Sequence, residues 1–420
     1  MGPPVADYRK ISRRHAASGF LTAITAGRIC YALGNPSHLR TDNALPPNVQ
    51  AFLNSFAPRQ LPGVAIAIRG SANTLVGEAG YRSLAARTLI RATDAIGIGS
   101  ITKTFVAVVA MQLEEAGRIS LDALALDYLG SQKLRNVANI GNASIAQLMG
   151  HTSGIPSWED DPDWIRDARG ASINPTKIWS STASLQYIYG KPALFAPGAK
   201  YSYSNSNYTI LGLIIEAITG NALWHEIARR ICAPLDLYNT YMDGISTPAK
   251  ATLCANRYQY VTPYFERIAG VSKYFTKVGD DLFDVSKANL SCEWAAGSIV
   301  STAPDVAKFF SALRSGRLLK PASLGFMTAW REAGVTSQGP FYVGHGLFRQ
   351  SSAGRSLVGH TGGVLGSTAN AFWIEGRPIA YAALSNFGTE DTGQSSRMTA
   401  NSVAQSPKFV EMISGLGERI

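Results

Sequence analysis

The sequence predicts an α+β, two-domain fold: an antiparallel sheet flanked by helices, its strands drawn from both ends of the chain, with a mostly helical domain inserted between them. Three observations predict it. Apolar residues alternate with a period near two around residues 63–81 and again over 341–385. The links between these runs are short and rich in Gly, Ser and Pro, as hairpins require. From Leu121 to about Pro234 the pattern is helical and loop-rich. With 420 residues, 46% of them hydrophobic and 16% charged, the chain can bury a sizeable core in one large or two interlocked units. The expected division is a leader at 1–44, a sheet part at 45–117 and 290–420, and a helical part at 118–289.

The leader holds Ser12-Arg13-Arg14 ahead of a weakly apolar run, 16–27, which resembles a twin-arginine export signal although Arg28 ends the run early. A periplasmic or secreted protein is therefore expected, the alternative being a cytoplasmic one with a disordered or docked N-terminus. After the leader, Gly63–Arg69, a turn, and Thr74–Tyr81 read as an antiparallel hairpin. A short extended segment, Ala95–Gly99, then runs into Ser100-Ile-Thr-Lys103, the only S-x-x-K in the chain.

Residues three apart share a helix face, so Lys103 is expected beside Ser100 at the first turn of a helix ending at Gly117. The following residues, 104–113, are apolar nearly all round, the mark of a buried helix. Burial lowers the pKa of a lysine, and a free amine beside a hydroxyl activates it as a nucleophile. Amides at a helix start add positive potential that favours alkoxide character on Ser100.

Within the inserted region, Ile145–Met149 and Tyr208–Ile218 are the clearest amphipathic pieces; 235–290 resists assignment. Tyr203-Ser-Asn205 lies in a loop leading into a helix, where a phenol can relay a proton and an amide can hold a substrate carbonyl or Lys103. Near the C-terminus, 341–349, 356–359, 368–374 and 379–385 read as strands. His360-Thr361-Gly362-Gly363 follows the second of these, and its small residues let a substrate approach the backbone.

The net charge of +10 is concentrated in the leader, which alone carries +4. No basic helix, zinc spacing or aromatic-basic repeat supports nucleic-acid binding, and no apolar run reaches the 18 or so residues of a membrane span. Cys30, Cys232, Cys254 and Cys292 include no C-x-x-C and no neighbouring His cluster, so no metal and no cofactor is expected. Cys254 and Cys292 are placed either to bridge the inserted region of an exported chain or to stand as buried thiols.

In this order, S-x-x-K, Y-x-N and H-T-G resemble the serine β-lactamase and D,D-peptidase superfamily, in its class C-like branch. Further signatures are His151-Thr-Ser-Gly-Ile-Pro156, Pro197-Gly198, Ala295-Ala-Gly-Ser-Ile-Val-Ser-Thr302 and the phrase from Gly117 to Leu129. The resemblance covers about residues 45–400. It implies the β-lactamase/transpeptidase-like fold with its site between sheet and helical domain, and an acyl-enzyme on Ser100. Lys103 and Tyr203 would share the proton transfers, Asn205 would position substrate, and His360 would stand where many relatives have Lys. Thr361, Gly362 and Gly363 would line the substrate strand, and the amides of Ser100 and Gly363 would form the oxyanion hole.

His360 is the main departure, because a Lys there keeps a permanent charge for a substrate carboxylate and a His near neutral pH need not. Among relatives, H-x-G resembles D-alanyl-D-alanine carboxypeptidases, D-aminopeptidases and D-amino-acid amidases, whereas esterase-like members often carry W-x-G. A D-stereospecific, D,D-carboxypeptidase-like enzyme is therefore expected, acting on a small molecule or peptide. An esterase, acyltransferase or weak β-lactamase and, last, a non-catalytic binding protein are the alternatives. Arg349 is the candidate cation for a terminal carboxylate, with Arg355 as its alternative. Trp158-Glu-Asp-Asp-Pro-Asp-Trp164 is a candidate aromatic, acidic wall that would favour substrates with a free amine.

Overall fold

The computed structural model describes residues 43–130, 134–250, 252–336, 339–393, 398–416 and 420. The leader, its twin-arginine-like run and Cys30 lie outside the described residues.

A nine-stranded sheet forms the frame. Its order is Arg331–Thr336, Gly339–Val343, Phe348–Ser352, Arg355–Val364, Ser367–Ile374, Ala380–Ser385, Gly63–Arg69, Thr74–Ser83 and Thr88–Leu89. All its pairings are antiparallel. The two ends of the chain meet in the middle, where Val64 lies opposite Ser385 and Arg69 opposite Ala380.

Strand alternation builds two cores. Ala65, Ala67, Val358, Ala369, Ala371, Ala382 and Leu384 face one side, packing with the Ala303–Arg314 helix and the inserted region. Val64, Ile66, Ile68, Leu357, Phe372 and Tyr381 face the other, beneath Pro47–Asn54 and Pro407–Ser414. The Thr102–Glu115 helix buries eleven of its fourteen residues, and the Phe105 ring stacks on Phe309 at 3.7 Å.

Two expectations change in detail, and two readings left open are decided. The 341–349 run is two strands, because a turn at Gly344–Leu347, closed by Gly344 N donating to Leu347 O (2.9 Å), folds it back on itself. The strand expected to stop at Gly359 continues to Val364, so the His360 motif is extended backbone paired with Thr368–Ala371. Residues 235–290 contribute short strands: Tyr241–Met242 joins Ile299–Ser301, and Tyr258–Tyr260 pairs with Leu282–Asp284. These pieces are too short for any periodicity to show in the sequence. Finally, Cys254 and Cys292 are not bridged to each other: Cys292 is a buried thiol, as is Cys232, and Cys254 Sγ lies 3.1 Å from Tyr241 Oη. No helix among the described residues is long and apolar enough to cross a membrane.

Candidate active site

Ser100 sits in a single 3-10 turn, Gly99–Ile101, that feeds the Thr102–Glu115 helix. The extended Ile96–Gly97 segment pairs with Ile299–Ser301 and delivers the chain to this turn. Gly99 has φ +53°, and a side chain there would fall 2.6 Å from the Gly363 amide nitrogen. At Gly362 a side chain would meet Ile98 O at 1.9 Å. Glycine at these positions lets the strand carrying His360 press against the turn carrying Ser100. The backbones of Ser100 and Gly363 meet where the oxyanion hole is expected.

Lys103 Nζ donates to Ser100 Oγ (2.9 Å) and to Ala296 O (2.7 Å), and its side chain is fully buried. Tyr203 Oη donates to the same Ser100 oxygen at 2.8 Å. Burial pushes the Lys103 ammonium down to about 7, against the opposing pull of Glu159 and Glu293. Desolvation also holds the Tyr203 phenol well above its ordinary value, so it stays protonated at neutral pH. The lysine is thus the member of the pair that changes charge near pH 7.

His360 is 1% exposed and lies on Phe348, with ring centroids 3.9 Å apart. Burial drives its pKa down to about 3, leaving it neutral. Its Nδ1 lies 2.5 Å from Thr361 O, an arrangement that places the ring hydrogen on Nδ1 and leaves Nε2 as a buried acceptor. The permanent charge a lysine would bring to this position is absent.

Asn205 begins the Asn205–Thr219 helix and is 2% exposed. Its Nδ2 donates to the Glu159 carboxylate, and its Oδ1 is a buried acceptor without a partner. The donor expected to hold a substrate carbonyl is therefore already engaged. Thr361, Gly362 and Gly363 run along the strand beside Ser100 as expected. Arg349 is not joined to the Ser-Lys-Tyr group by any described contact; its guanidinium lies over the rings of Tyr342 (4.3 Å) and Trp330 (5.3 Å). Arg355 is exposed at the start of its strand.

The acidic, aromatic segment divides. Trp158 and Trp164 are core residues packed on each other at 4.3 Å, since bulky rings gain more by burial than by lining a wet cleft. Asp161 caps the Pro162–Arg169 helix and pairs with Lys191. Only Glu159 bears on the site. It joins a buried ion cluster in which Arg169 Nη2 meets Glu159 (2.6 Å) and Glu293 (2.7 Å), and Nη1 meets Asp391 (2.9 Å).

Sequence reasoning missed this cluster and the part played by His151. His151 has φ +55°, stacks on Tyr203 at 4.4 Å, and accepts from Ser204 N through Nδ1 (3.1 Å). Buried and neutral, it braces the Tyr203 loop. A charged residue inside the apolar stretch Cys292-Glu-Trp-Ala-Ala-Gly297 was the available signal for Glu293. Arg169, an ordinary arginine at the end of an amphipathic helix, gave none. Among the described residues, no group of three or more His, Cys, Asp or Glu is placed to hold a metal ion.

An antiparallel sheet flanked by helices, on which a serine, a buried lysine and a tyrosine converge, is the β-lactamase/transpeptidase-like fold. The model of the Beta-lactamase family matches residues 48–405, and the chain belongs to that family. It is similar to a D-stereospecific amidohydrolase from Streptomyces sp., at 28% identity and TM-score 0.69, over 81% of this chain and 93% of that one. It also shares its fold with a D-amino acid amidase from Ochrobactrum anthropi SV3 (24% identity, TM-score 0.74, 87% and 98% of the two chains). Protein flp of Staphylococcus aureus is 25% identical over 204 residues, 48% of this chain and 39% of that protein, so the match spans about two fifths of this relative's length.

Proposed function

We propose that the protein is a D-stereospecific amidase or aminopeptidase that hydrolyses the amide bond of a D-aminoacyl unit bearing a free α-amine. The observation that carries this reading is the pairing of Glu159 with Asn205. Glu159 holds the Asn205 amide by its nitrogen and leaves the Asn205 oxygen as a buried acceptor. A free ammonium can donate to such an acceptor and pair with the carboxylate; the carbonyl of an N-acyl group can do neither. The likeness to the Streptomyces D-stereospecific amidohydrolase supports the same reading. A carboxypeptidase needs a cation for the terminal carboxylate, and here His360 is neutral while Arg349 is laid on two aromatic rings.

The residues divide the work as follows. The Lys103 free amine takes the Ser100 hydroxyl proton while Oγ attacks the substrate carbonyl. The amides of Ser100 and Gly363 hold the developing oxyanion, an interaction worth about 3–4 kcal/mol per donor in comparable sites. Tyr203 hands its proton to the leaving nitrogen and is reprotonated from Lys103. The C–N bond breaks and an ester to Ser100 remains. Water then attacks that ester and gives its proton to the same pair, which passes a proton back to Ser100 Oγ as the C–O bond breaks and the D-amino acid leaves.

Hydrolysis of D- and L-amino-acid amides, each with a free and an N-acetylated amine, tests the reading. The free D-amide should be the best substrate, and Ser100→Ala should abolish its turnover while the circular dichroism spectrum is kept. Equal rates on both enantiomers, or a preference for the N-acetyl compound, would sink it.

A further inference from the structure

The Gly363 backbone is crowded from a second direction. A side-chain carbon added at Gly363 would fall 1.7 Å from Glu390 Oε1 and 2.6 Å from its carboxyl carbon. Glu390 thus lays its carboxyl group directly on the residue whose amide completes the expected oxyanion hole. It follows the short Phe387–Gly388 strand, and its own backbone oxygen is held by Gln259 Nε2 at 3.0 Å, which fixes the approach. Arg169 is spent on Glu159, Glu293 and Asp391. Among the described residues, no hydrogen bond is made to the Glu390 carboxylate. Four carboxyl groups therefore surround one guanidinium, and Glu390 is the one facing the strand on which a substrate lies.

From this placement we infer that Glu390 is a specificity-determining residue that rejects ligands carrying a carboxylate next to the reacting carbonyl and admits their neutral amide or ester counterparts. Once the carbonyl oxygen sits between the Ser100 and Gly363 amides, a carboxylate on the carbon that bears the leaving nitrogen would be brought toward Glu390 at Gly363, and like charges brought together in a desolvated cleft repel. Among the described residues no arginine or lysine makes an ion pair with Glu390; Arg169, paired with three other carboxylates, acts on it only at longer range. The inference rests on Ser100 as nucleophile with its hole at Gly363; it deepens the proposed function by specifying the leaving side, and does not depend on the stereochemical preference.

An aminopenicillin, which has a free amine and a carboxylate beside the reactive ring carbonyl, and its neutral carboxylate ester test it. Acylation of Ser100 is followed by mass spectrometry under identical conditions at a pH well above 7, where the Glu390 carboxyl, raised by burial to about 7, is ionised. Wild-type protein should react at least about tenfold faster with the ester than with the acid. Glu390→Gln should accelerate the acid by a similar factor and change the ester little, while Glu390→Asp, which keeps the charge, should preserve the discrimination. A wild-type ratio near one overturns the inference without any variant. Equal acceleration of both compounds by Glu390→Gln overturns it as well, as does failure of that variant to make the acid react. Loss of D-over-L preference in the amide assay would refute the proposed function and leave this ratio readable.

Discussion

Lys103 carries opposite consequences for rate and for stability. The reactive form is the free amine, so kcat/KM should rise with pH through a midpoint near 7, where burial has brought this group. The groups around it are Glu159, Glu293, Arg169, Tyr203, Tyr208, His151 and His360. Of these, His360 adds no limb between pH 5 and 7, because its pKa lies near 3. Glu390, raised by burial to about 7, titrates in the same window, and the profile of Glu390→Gln separates the two. A midpoint that stays near 7 in that variant assigns it to Lys103; one that disappears assigns it to Glu390. Folding reads the lysine from the other side. Between about 7 and the ordinary value of 10.5 the unfolded chain binds the proton that the folded one has lost, so this group makes stability increase with pH across that window. Lys103→Met should therefore abolish turnover and raise Tm; a lowered Tm would show that the bonds to Ser100 and Ala296 outweigh the desolvation of the amine.

At the scale of elements, activity depends on how closely the 3-10 turn and the His360 strand approach each other. Gly362→Ala drives a methyl into Ile98 O, and Gly99→Ala sets one against the Gly363 backbone at an unfavourable positive φ. Each should cost about 1–3 kcal/mol of stability and a larger share of activity, since a displacement of about 1 Å at the nucleophile costs on the order of a hundredfold. Denaturant melts and kcat on the same preparations make the comparison, and an active, destabilised Gly362→Ala would show that the approach is not needed for turnover. His151 works through the Tyr203 loop, so His151→Ala should lower kcat about tenfold or more with little change in KM. If KM rises instead, His151 shapes substrate binding rather than the position of the phenol.

For the molecule as a whole, the central strand pair joins residues 64–69 to 380–385 across more than 300 positions of sequence. Neither half of the sheet can bury both faces alone, and the C-terminal helix seals one of them by stacking Phe409 on Phe52 at 6.1 Å. Phe409→Ala should cost about 3–5 kcal/mol, although it lies on the face of the sheet opposite the nucleophile helix. Calorimetry should show one transition for sheet and inserted region together, moved to lower temperature by this substitution. Two separated transitions would show that the inserted region folds independently.

The sequence by itself determined the frame and the reacting group. The near-continuous apolar runs Gly63–Arg69 and Ala380–Ser385 report burial on both faces of a sheet, and the three-residue spacing of Ser100 and Lys103 is local geometry that any helical turn enforces. Tyr203 and His360 were found as motifs, but their protonation was not legible, because desolvation comes from residues distant in the chain: Phe348 covers His360, and Tyr203 rests on His151. The ion cluster joins positions 159, 169, 293 and 391, which no local pattern connects. Glu390 meets Gly363 only because the Ser367–Ile374 and Ala380–Ser385 strands return the chain to the site. Tertiary structure alone decided the charge of the cleft, because charge inside a protein depends on what burial brings together, and periodicity records only which side of an element is buried.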